Sequence, residues 1–102
     1  MRNIEDFVRE FKVMGISDTE IQKYREYVTE YAYENCRQRG LDLNTGATLI
    51  RYSICQVSDA ICINLMTRLH EDPQASLTFD LPKIKEIPGI VKSQLTRPYD
   101  RI

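Results

Sequence analysis

Residues 47 to 66 read ATLIRYSICQVSDAICINLM, and only Arg51 and Asp59 among them carry a formal charge, although 28% of the chain is Asp, Glu, Lys or Arg. A stretch this apolar decides much of what the chain can become. Its length approaches that of a membrane span, but Arg51 and Asp59 are each costly at mid-bilayer, and Ser53, Gln56, Ser58 and Asn64 add to the cost. The segment therefore belongs inside a protein, not a membrane. The β-branched Ile50, Ile54, Val57, Ile61 and Ile63 would suit a strand, but the spacing favours a helix. At about 100° per residue, Ala47, Ile50, Ile54, Val57, Ile61 and Leu65 fall within roughly 80° of one another. Tyr52, Cys55, Cys62, Ile63 and Met66 form a second apolar sector on the far side. A helix apolar on two sides must be covered on two sides, by its own chain or by another.

The chain around this helix is short. Its 102 residues support a single domain with one core, and small size makes self-association a useful way to bury more surface. A hydrophobic fraction of 42% is that of a packed globular protein. Fourteen Lys and Arg against fifteen Asp and Glu give a net charge of -1, so no global positive field draws the chain to nucleic acid. Cys36, Cys55 and Cys62 form an odd set without a CxxC pair, and MRNIEDF places charges where a signal peptide would place apolar residues. The expected setting is a reducing cytoplasm.

Before the apolar segment the grammar is helical. Asn3 can cap a helix whose Ile4, Phe7, Val8 and Phe11 repeat at i, i+3, i+4 and i+7. Gly15 can close it in the left-handed conformation. ISDTE then opens a second helix with a capping box from Ser17 to Glu20, stapled by Ile16 and Ile21. That helix is expected from Asp18 to about Arg39, with Gly40 as its stop. Its inner face comprises Ile21, Tyr24, Val28, Tyr31, Ala32 and Cys36, opposite Glu26, Glu30, Glu34 and Arg37. After LDLNTG, Asn44 or Thr45 is available to cap the third helix, which should reach His70 before HEDPQAS breaks it. The remainder offers Leu77, Phe79, Leu81, Ile84, Ile87, Ile90, Val91 and Leu95 as partial cover. It is interrupted at Pro82 and Pro88, which suit the starts of two short helices. Residues 95 to 102 read as a loose tail.

Chemistry-bearing patterns are few. Cys55 and Cys62 share a helical face, and buried cysteine behaves as a small hydrophobe unless a base activates it; His70 is the sole histidine. Three cysteines and one histidine lack the short-spaced ligand pairs of a zinc site. DLNTGATLIRYS starts like a calcium loop at Asp42 and Asn44, but Gly46 comes one residue early and Ser53 replaces the bidentate glutamate. Capping and turn formation explain those residues more simply. KVMGISDTEIQKY resembles the loop between the first two helices of ubiquitin-associated domains, and also a helix-turn-helix entry. The long second helix and its glutamates depart from both.

Glu26, Glu30 and Glu34 project from one side of helix two, with Asp59 on the central helix. Carboxylates gathered from two helices can hold magnesium for phosphate chemistry. The pattern resembles the all-α nucleotide pyrophosphohydrolases of the MazG type, which implies a small helical oligomer using an ExxE pair and an ExxD pair. Here the glutamates are four apart, and the second pair reads Gln56 to Asp59. Tyr24, Tyr27 and Tyr31 form a stripe whose rings can bury area while their hydroxyls keep a hydrogen bond, either at a contact surface or at the boundary of the core.

These readings predict an all-α fold: an amino-terminal αα-hairpin, a long central helix, and short carboxyl-terminal helices wrapping it. The favoured function is a non-enzymatic interaction module, homodimeric or bound to a protein partner, needing no cofactor or metal. Its expected surface is Tyr52, Cys55, Cys62, Ile63 and Met66, with Tyr24, Tyr27 and Tyr31. A magnesium-dependent nucleotide hydrolase is the alternative, and a nucleic-acid-associated regulator the third.

Overall fold

A computed structural model describes residues 1–79 and 81, and in it the chain is all-α. The described helices are α1 (Ile4–Val13), α2 (Asp18–Gln38) and α3 (Ala47–Glu71). Among the described residues no helix is long and apolar enough to cross a membrane. The short helices expected after Pro82 and the tail at 95–102 lie outside the described residues.

The amino-terminal hairpin forms because both of its helices are told where to begin and end. Asn3 accepts the Asp6 N–H while the Asp6 carboxylate accepts the Asn3 N–H, a complete capping box. At α2 only half of the expected box forms. The Ser17 hydroxyl accepts the Glu20 N–H, but the Glu20 carboxylate turns to Lys23 and, at 3.0 Å, to the backbone N–H of Phe79. Both helices stop in the same way. The N–H of Ile16 reaches the Phe11 carbonyl and that of Leu41 the Cys36 carbonyl, each across a glycine at positive φ, Gly15 at 90° and Gly40 at 68°.

Gly15 has open space where a Cβ would stand, so Gly15→Ala costs only the conformational penalty, an expected loss of about 1 kcal/mol. Ser17→Ala should cost about as much through the lost cap. Two thermal melts check this, and wild-type midpoints in both variants would remove the hairpin's stop-and-start account.

The start of α3 departs from expectation. Neither Asn44 nor Thr45 caps it; Gly46 holds that position without a side-chain bond. Asp42 instead ties the turn together, accepting from the backbone and hydroxyl of Thr45 at 2.7 and 2.9 Å. Packing sets this boundary, because Gly46 is pressed against Cys36, whose thiol donates to the Gly46 carbonyl.

α2 and α3 run antiparallel, and α1 lies along α3 in the same direction, with Arg2 beside Cys55 and Glu10 beside Cys62. Ile21, Tyr24, Val28, Tyr31, Ala32 and Cys36 all face inward on α2, as their spacing predicts. On α3 the buried arc differs from the expected seam. Val57 and Leu65 are buried, Ile50, Ile54 and Ile61 only half-buried, and Ala47 is exposed. The arc includes Ser53, Gln56 and Ser58. Small polar residues enter because α2 supplies partners: the Tyr24 and Ser58 hydroxyls meet at 2.7 Å, and the Asn35 amide donates to Ser53 at 3.0 Å. After Asp72 the chain doubles back, Arg68 donates to the Thr78 carbonyl, and Phe79 closes the core against Phe11 and Tyr24.

Candidate functional site

The far sector of α3 splits in two. Its inner half, Cys55 and Cys62, is taken by the amino terminus. The Cys55 thiol donates to the Arg2 carbonyl at 2.9 Å, and the Cys62 thiol to a Glu10 carboxylate oxygen at 3.3 Å. Arg2 lies with its guanidinium 4.0 Å over the Phe7 ring, 2.6 Å from Glu10 and 3.8 Å from Asp59. α1 and the residues before it cover the two cysteines, while most of the carboxyl-terminal segment expected to cover this sector lies outside the described residues. The backbone before α1 brings the Arg2 carbonyl to Cys55, and the long side chain of Glu10 extends past the core stripe of α1 to Cys62.

The outer half stays open. Ile63 is 61% exposed and Met66 57%. Beside Met66 stands Val13, 89% exposed at the end of α1. Together with Asp6, Arg9, Glu10 and Met14, these two residues line a shallow depression of about 450 Å³. Val13 was not among the residues singled out by periodicity, because it falls off the i, i+3, i+4, i+7 stripe of α1. That displacement is itself the signal of an apolar side chain pointing away from the core.

Three of the expected surface residues belong to the interior. Tyr24, Tyr31 and Cys62 are buried, and Tyr24 packs its ring between α1 and Phe79 with its hydroxyl on Ser58. Their place on the facing stripe of α2 and the inner edge of α3 explains the correction. Tyr27, Tyr52 and Cys55 are half-buried at the margin.

The thiols are set up as proton holders. Burial first, then the hydrogen bond and charge of Glu10, push Cys62 up to about 11. Burial and the nearby Asp59 also raise Cys55. A nucleophile needs the opposite environment. The consequence is a pH dependence with a definite sign. A thiol whose folded pKa lies above its unfolded value stabilises the fold below the unfolded value, near 8.5, and loses that contribution as pH rises through about 11. Urea midpoints measured from pH 8 to 11 should therefore fall less steeply in Cys62→Ala than in wild type. Parallel curves would show that Cys62 contributes nothing to the alkaline loss.

The carboxylates considered for magnesium do not converge. Glu26 accepts from Gln22, Glu34 pairs with Arg37 and Gln38, and Asp59 sits across α3 beside Arg2. Among the described residues no group of three or more His, Cys, Asp or Glu side chains is placed to share a metal ion. The chain matches no protein-family model, no curated protein and no solved structure. Its own residues therefore carry the functional reading.

Proposed function

We propose that this protein is a small interaction module without catalytic activity, an adaptor, inhibitor or regulatory subunit, working as a homodimer through the outer flank of α3 in the reducing cytosol. One observation carries the reading. Met66 stands more than half exposed beside Val13, with Ile63 equally open one turn earlier on α3, while Cys55 and Cys62, on the same apolar sector, are covered by the chain. Contiguous apolar surface of this kind marks contact sites more often than scattered single residues do. Met suits such a surface because its unbranched side chain adapts to the partner's shape. The charged rim of Asp6, Arg9 and Glu10 around the depression fits the polar border of a protein contact.

Light scattering coupled to gel filtration tests it. Wild type is expected at twice the chain mass, and Ile63→Glu and Met66→Lys at the mass of one chain with unchanged circular dichroism. A wild type that stays a monodisperse monomer at high concentration would sink the dimer. Unfolding of both variants as monomers would show that these side chains are covered within the chain.

A further inference from the structure

Four exposed residues on the outer flank of α3 are spaced with a symmetry of their own. Asp59, Ile63, Met66 and His70 follow one another at intervals of four, three and four. At about 100° per residue they form one seam along the helix. Read in either direction the spacing is the same. A seam of this kind can lie against a reversed copy of itself, with a two-fold axis midway between Ile63 and Met66. Each Ile63 then meets a Met66, and each Asp59 meets a His70.

The chemistry agrees with the geometry. The inner two positions are apolar and the outer two are an acid and a nitrogen donor, which suit a contact with a dry centre and a polar border. A carboxylate accepts from an imidazole N–H whether or not the ring is charged. Other arrangements lose this match. A parallel pairing sets Asp59 against Asp59, and an antiparallel pairing centred on Ile63 sets Asp59 against Thr67. Asp59 is half exposed and 3.8 Å from Arg2, which lies closer to Glu10, so its carboxylate keeps an open side. Val13, beside Met66, widens the apolar area off the helix axis.

We propose that the occupant of this flank is a second copy of the chain, its α3 antiparallel to the first, with Ile63 against the partner's Met66 and Asp59 against the partner's His70. This rests on the reading of the α3 flank as the association face and adds direction and register to it. A two-fold contact uses each residue twice, so one favourable acid–donor pair in the sequence becomes two in the dimer.

Charge exchange across the axis tests the arrangement. Asp59→Lys and His70→Glu are purified separately, checked by circular dichroism, and sized alone and as an equimolar mixture, with native mass spectrometry to identify the species. Each variant alone places like or unmatched groups together at both ends and should self-associate at least about tenfold more weakly than wild type. The mixture should form a heterodimer with an affinity close to that of wild type, because both ends then pair correctly. If the mixture stays as weak as its components while Ile63→Glu still splits wild type, the register is overturned and the association face stands. A wild-type monomer, or a dimer indifferent to Ile63→Glu, overturns the face and the register with it.

Discussion

Phe11→Ala is expected to remove about 3–5 kcal/mol of stability, the range for deleting a fully buried phenylalanine ring. Phe11 has no exposed surface, and its ring is met edge-on by Tyr24 at 4.9 Å and by Phe79 at 5.2 Å between centroids. Truncation empties the point where α1, α2 and the returning segment meet, so the cavity cannot collapse by moving one neighbour. A domain of this size holds roughly 5–15 kcal/mol in all, and the loss takes a large share of it. In thermal melts the midpoint should fall by more than about 12 °C. Phe11→Leu, which keeps most of the volume, should fall much less. An alanine variant melting within a few degrees of wild type would show that this aromatic cluster is not the centre of the core.

Gly46→Ala is expected to cost about 2–3 kcal/mol through overpacking. A Cβ there would stand 2.6 Å from the Cys36 sulfur and 2.8 Å from the Asp42 carbonyl oxygen. Gly46 is the N-cap of α3, a position that favours glycine over alanine, so the capping preference and the clash act in the same direction. The two obstacles differ in kind. Cys36→Ala removes the sulfur but leaves the carbonyl, so the double variant should recover part of the loss relative to the sum of the single ones. Strict additivity in urea titrations would show that the sulfur and the glycine do not touch.

The αα-hairpin was legible because each of its decisions is local. Asn3, Gly15, Ser17 and Gly40 act on backbone groups within a few residues, and the inner face of α2 repeats at the helical period. α3 was less legible for a physical reason: which arc of a helix is buried depends on what lies opposite. Ser53 and Ser58 look like solvent positions until Asn35 and Tyr24 are placed against them. Gln56 went the same way, buried with neither amide atom hydrogen-bonded among the described residues. At the candidate site, the second apolar sector could be read from the sequence, but not its division. The division depends on the Arg2 carbonyl and the Glu10 carboxylate, which no periodicity marks and which reach Cys55 and Cys62. The exposed remainder, Ile63 and Met66, became visible only once that reach was known.

Phe79 gives the order of events a direction. It follows Tyr24 by 55 residues, yet its ring stacks on Tyr24 and its N–H is held by Glu20 at the start of α2. On a ribosome adding about 5–20 residues per second, roughly 3–11 seconds separate the synthesis of these two rings. Throughout that interval the nascent α1 and α2 can pair, but Phe11 and Tyr24 still lack their lid. The growing chain thus passes through a stage that is helical yet sticky, and a chaperone acting on it would compete with Phe79 for the same two rings.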